Sequence, residues 1–211
     1  MNKPLKRSAS ALAALAAIAM LALPNMASAE STLQTGAGTL TGSARLDFRV
    51  TVPKVLFLQV GTGTSMATNT TINLIDFTVP AANVGDGTVI AASAASGDLG
   101  NGIVTAKVIG NNGTVTLTST TIGALSNGAG DTISYSQIST TASVLASAVA
   151  LPAPALVDAT TTSTTVTPVG KIVNRDAKWT FGYLNGTIVA PGTYGGVNVN
   201  NGRVTYTASM P

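Results

Sequence analysis

Arg45-Leu46-Asp47-Phe48-Arg49-Val50-Thr51-Val52 alternates polar and apolar residues without a break, and this period of two decides the fold. Successive side chains of a strand point to opposite faces, so Leu46, Phe48, Val50 and Val52 make one clean apolar edge. Outward from this stretch the chain is rich in Thr, Val, Ala, Gly and Asn, with apolar residues again alternating with small polar ones. β-Branched side chains fit a pleated, half-buried surface. Asn-Gly pairs at Asn101-Gly102, Asn112-Gly113, Asn127-Gly128, Asn185-Gly186 and Asn201-Gly202 supply the residues that tolerate positive φ in tight turns.

These signals predict strands near Arg45 to Val60, bent at Pro53, and near Thr71 to Val79, Thr88 to Ala92, Ile103 to Ile109, Thr114 to Thr120 and Thr132 to Gln137. Later strands are predicted near Thr164 to Thr167, Lys178 to Leu184 and Arg203 to Ser209. Ala142 to Ala150 fits a short helix or a strand equally well. Leu151-Pro-Ala-Pro-Ala155 and the Thr160 to Thr165 run read as an exposed connection. A parallel α/β fold needs amphipathic helices between strands, and none is visible; short strands separated by turns point to an all-β, antiparallel sandwich.

Residues 1–29 read as an export signal. Lys3, Lys6 and Arg7 precede the apolar Ala11 to Leu23, and Ala27-Ser28-Ala29 is a small-x-small cleavage site, which predicts a mature chain starting at Glu30. The apolar run is short of the ~20 residues of a membrane-spanning helix, so no membrane anchor is expected. Removing three of eleven basic residues leaves eight, against eight acidic ones, so the mature chain is formally neutral. The only basic cluster, Lys171, Arg175 and Lys178, contains Asp176, and no partner nucleic acid is expected. Residues 30–44 read as a flexible N-terminal arm and 45–211 as one sandwich domain.

No histidine and no cysteine occur, which excludes a Ser-His-Asp triad, a Cys-His dyad, a His-based zinc site and disulfides. The aspartates at 47, 76, 86, 98, 131, 158 and 176 are scattered, several beside Gly or Asn, as turn-supporting aspartates are. Val84-Gly-Asp86-Gly and Gly97-Asp98-Leu-Gly-Asn101-Gly hold oxygen ligands but not the spacing of an EF-hand. The chain reads as a non-enzyme without catalytic residues, metal or cofactor.

Five of the nine aromatic residues lie between Trp179 and Tyr206, and Trp179, Phe181 and Tyr183 share one strand face. Such a stripe is either the centre of a core or an exposed platform for sugar rings, and the shortage of other large side chains favours the core. In the arm, Leu33, Thr35, Ala37, Thr39 and Leu40 belong to a glycine-rich segment suited to adding a strand to the sheet edge of a neighbour. The edge it would meet lies beside Val204 to Ala208.

Leu46-Asp-Phe-Arg-Val-Thr-Val-Pro53, Asn73-Leu-Ile-Asp-Phe-Thr-Val79, Pro191-Gly-Thr-Tyr-Gly195 and Gly202-Arg-Val-Thr-Tyr-Thr-Ala-Ser209 together resemble exported fimbrial subunits, the chaperone–usher pilin and spore-coat-U-like domains of Gram-negative bacteria. The resemblance implies an immunoglobulin-like sandwich, transit through the periplasm with a chaperone and an outer-membrane usher, and assembly into a cell-surface fimbrium with copies of itself or related subunits. The chain departs from that pattern in lacking a cysteine pair and in its longer middle region. The Trp179 to Pro211 end also resembles the closing strands of cell-wall-binding WxL-type surface domains. The competing expectation is therefore an exported saccharide- or cell-wall-binding sandwich module.

Overall fold

Ile103–Gly110, the strand β3, alternates half-buried and buried residues along its whole length, and Val115–Thr121, β4, does the same one turn later. Their inward residues Val104, Ala106, Val108, Val115 and Leu117 are among the most deeply buried of the protein. The computed structural model describes residues 30–211, and the predicted export signal at 1–29 lies outside them. Within the described residues the chain divides into two units, 30–52 and 53–211.

The second unit is all-β and antiparallel. One sheet orders β1 (Leu56–Val60), β3 and β9 (Val173–Tyr183), with β2 (Ile90–Ala91) and β7 (Ile138–Ser143) both pairing with the end of β9. The other orders β10 (Val204–Ser209), β4 and β8 (Thr161–Val166). A two-stranded ribbon joins β5 (Leu125–Ser126) to β6 (Thr132–Ile133). One hydrophobic core lies between the two larger sheets, with Val104, Val108, Ala177, Trp179 and Phe181 from the first and Leu117 and Val166 from the second. It is the packing expected of a sandwich, in which alternate residues of two sheets interdigitate.

The turn chemistry follows the Asn-Gly reading at Asn101-Gly102, where φ is 53° and 74° before β3 begins. A Cβ on Gly102 would meet the Ala92 Cβ at 2.7 Å, so this turn needs glycine for space as well as for backbone angle.

Several boundaries differ from the sequence expectation. Residues 45–55 are not part of a ladder; β1 starts only at Leu56. Residues 71–79 are also outside any strand although Asn73, Ile75, Phe77 and Val79 are each half-buried; Ser96 and Ser93 hold the Asp76 backbone in place of a neighbouring strand. Thr132 to Gln137 divides into β6 and a short 3-10 turn at Tyr135–Gln137, whose Ser134 cap accepts from the Ser136 amide. β7 takes in Ala142, and β8 occupies the Thr-rich run read as a connection. Leu151 to Ala155 is not an exposed connection, since Leu151 and Pro154 are fully buried. No helix among the described residues is long and apolar enough to cross a membrane.

Candidate functional site

Each large sheet ends in an edge strand on each side of the sandwich, and the two sides differ. On one side residues 151–157 run between the sheets and tie them together. The Leu151 amide donates to Asp176 O at 3.0 Å, and the Trp179 indole Nε1 donates to Leu151 O at 2.8 Å, both on β9. Further along, Ser119 Oγ of β4 donates to Ala155 O at 2.8 Å, Thr162 Oγ1 of β8 donates to the same carbonyl, and Thr121 Oγ1 donates to Val157 O. Leu156 adds a buried apolar side chain. This seam is filled, and the Leu151, Ala155 and Val157 carbonyls in it are paired.

On the opposite side β1 and β10 approach each other, one from each sheet. Both are terminal in their sheets, so each keeps a free backbone edge. Leu58 and Val60 of β1 and Val204, Tyr206, Ala208 and Met210 along β10 pack on the core yet remain partly open. The Tyr206 ring lies 5.3 Å from that of Trp179, so the seam leads directly to the centre of the core. One end of the seam is pinned: Lys54 Nζ and Asn112 Nδ2 both donate to Pro211 O. Exposed edges and half-covered apolar residues are what an added strand would satisfy.

In the first unit, residues 46–52 expose their apolar edge almost completely: Leu46 is 68%, Phe48 86%, Val50 85% and Val52 74% exposed. No residue of this stretch belongs to a strand pairing. The candidate donor residues Leu33, Thr35, Ala37, Thr39 and Leu40 are exposed as well, but the chain bends at residues 36–38. Around that bend the segment closes on itself. Thr32 Oγ1 donates to Ser43 O at 2.7 Å, and Arg45 donates through Nε and Nη2 to the Glu30 carboxylate at 2.6 and 2.8 Å. The Arg45 hydrogen bonds hold the Glu30 carboxyl below its ordinary pKa.

Trp179, Phe181 and Tyr183 are all buried and offer no exposed stacking face for a sugar. Four of the aspartates, Asp86, Asp98, Asp158 and Asp176, hold backbone amides. Asp86 accepts from the Thr88 amide, Asp98 from the Thr105 amide and Asp158 from the Tyr135 amide. Burial, with the Asp158 charge adding, pushes the Tyr135 hydroxyl up to about 12, and that hydroxyl donates to Asn201 O at 2.7 Å. Burial raises the Asp176 pKa, but hydrogen bonds from the Ala146 and Ser147 amides and the Ser147 side chain, with the Lys107 charge, outweigh it and hold the carboxyl below its ordinary value. Among the described residues no three acidic groups converge as metal ligands.

No family model matches the chain, and neither a curated protein nor a solved structure matches it. The β1–β10 seam and the unpaired apolar stretch 46–52 are the features left to bear on function. Sequence reasoning expected a receiving edge beside Val204 to Ala208 and did not single out Leu58, Val60 and Met210, which are also half-open on the core. Which edges lack a partner is a property of the assembled sheets.

Proposed function

We propose that the protein is a structural subunit of a bacterial surface fibre, assembled by donation of an N-terminal strand from one copy to the sandwich of the next. The observation that carries this reading is the coexistence in one chain of an uncovered seam between β1 and β10 and an apolar, unpaired N-terminal stretch. A contact between two different surfaces of the same molecule propagates as an open chain wherever its rotation does not close a ring. Export through the signal at residues 1–29, periplasmic transit with a chaperone and an outer-membrane usher, and a final place at the cell surface complete the proposal. The formally neutral mature chain imposes little repulsion between copies.

A binding module for saccharide or cell wall is the weaker reading, because its motive was the aromatic stripe and those rings lie in the core. The test is the mature chain on a denaturing gel without heating. A fibre subunit gives a regular ladder of detergent-resistant multimers, and deletion of residues 30–52 abolishes it. A full-length protein that stays monomeric, or a ladder that survives the deletion, contradicts the proposal.

A further inference from the structure

Every asparagine–glycine pair of the sequence lies between strands of the sandwich unit, at Asn101-Gly102, Asn112-Gly113, Asn127-Gly128, Asn185-Gly186 and Asn201-Gly202. This dipeptide is prone to spontaneous deamidation, because glycine has no Cβ to obstruct closure of a five-membered ring. Once the glycine nitrogen has given its proton to solvent base, it attacks the asparagine Cγ. A C–N bond forms there, the side-chain nitrogen leaves as ammonia, and water opens the resulting imide to aspartate or isoaspartate.

In all five pairs the glycine N–H is already committed to an acceptor. Gly102 donates to Ser96 O at 2.9 Å, Gly113 to Lys171 O at 2.9 Å and Gly202 to Val199 O at 2.8 Å. Gly128 donates to Ser126 Oγ at 2.9 Å, and Gly186 to Gln137 Oε1 at 3.0 Å. Such an amide is shielded from base and held in one direction, so its bond has to open before the nitrogen can ionise and swing onto Cγ.

We propose that these five bonds protect the turns against deamidation, and that Asn127 is the latent modification site among them. Three of the acceptors are backbone carbonyls. Of the two side-chain acceptors, Gln137 guards Asn185, which is buried and held by the Gly85 amide through its Oδ1. Ser126 guards Asn127, which is only half-buried and is followed by three exposed residues, Gly128, Ala129 and Gly130. The change at Asn127 would be costly to its turn. Asn127 Nδ2 donates to Asp131 Oδ2 at 2.8 Å, while its Oδ1 accepts from the Ala129 and Asp131 amides. Deamidation replaces that donor by a carboxylate facing the Asp131 carboxylate, so the loop joining β5 and β6 loses a hydrogen bond and gains a repulsion.

The experiment incubates the parent chain at mildly alkaline pH, folded and in denaturant, and locates new aspartate and isoaspartate by peptide mass spectrometry, with Trp179 emission reporting the fold. All five pairs should convert in denaturant. In the folded chain each should convert at least about tenfold more slowly, Asn127 first. Ser126→Ala should accelerate conversion at Asn127 with unchanged emission, and Ser126→Thr, which keeps a hydroxyl acceptor, should not. Equal rates in the folded and unfolded chain overturn the protection, and a different asparagine converting first overturns the choice of Asn127. A folded Ser126→Ala chain no faster at Asn127 than the parent, or a Ser126→Thr chain as fast as Ser126→Ala, overturns the role of the Gly128 bond.

Discussion

The two seams of the sandwich are built from the same kinds of edge strand and end in opposite states. Residues 151–157 cross one seam, burying Leu151, Pro154 and Leu156, while the Leu151 carbonyl accepts from Trp179, that of Ala155 from Ser119 and Thr162, and that of Val157 from Thr121. At the other, Val204, Tyr206 and Ala208 are left half-covered beside a free edge. The difference shows how a segment that makes no ladder can complete a sandwich: carbonyls accept from side chains of both sheets, and two prolines remove amides that would otherwise need partners. The open seam lacks such a segment among the described residues, and the apolar stretch 46–52 has the composition to supply one.

The contrast can be broken most severely at the closed seam. Trp179→Ala should destabilise the fold by roughly 3–5 kcal/mol, since it deletes a buried ring and leaves Leu151 O without its donor; denaturant unfolding measures this. Leu151→Ala should cost about 2–5 kcal/mol by the same measurement, because the site is tied down on both sides and collapses little. Asp176→Asn should cost roughly 1–3 kcal/mol, as the Ala146 and Ser147 amides leading into the closing segment lose a charged acceptor.

The Asp176 carboxyl also predicts a pH dependence. Its folded pKa is depressed, so the stability it contributes is complete above the ordinary aspartate value of about 3.9 and is lost as pH falls through the lower folded value. Thermal unfolding followed downward from pH 5 should therefore show a steeper loss for the parent chain than for Asp176→Asn. The smallest effect is expected at the loose stretch. Phe48→Ala should change the unfolding free energy of the isolated chain by less than ~0.5 kcal/mol, because the ring is exposed, and a cost as large as that of Leu151→Ala would erase the contrast between the two regions.

Much of the sandwich was legible because alternation records which face of a strand is buried. Residues 103–110, 115–121 and 204–209 follow that pattern in the structure with nearly the predicted bounds. Alternation does not say what a strand pairs with. For that reason 45–55 and 71–79 read as ladder strands while neither is one: side-chain hydroxyls hold the backbone at Asp76, and Asn111 holds residues 53–55. The closing segment was hidden for another reason. Leu-Pro-Ala-Pro-Ala carries every mark of an exposed connection, and its burial depends on Ser119, Thr162 and Trp179, distant residues that approach it only in the assembled fold. Of the candidate site, the half-buried alternation of β10 was legible in the residues, whereas its free edge and the unpaired state of 46–52 required the sheets to be seen.

Amide hydrogen exchange on multimers, compared with a Phe48→Asp/Val50→Asp chain, tests the central claim most directly. Exchange should slow in the multimer at residues 46–52 and along β10, whose free edge gains hydrogen bonds, while residues 151–157 exchange alike in both because their seam is already closed. Equal exchange at 46–52 and β10 in the two samples would contradict the account.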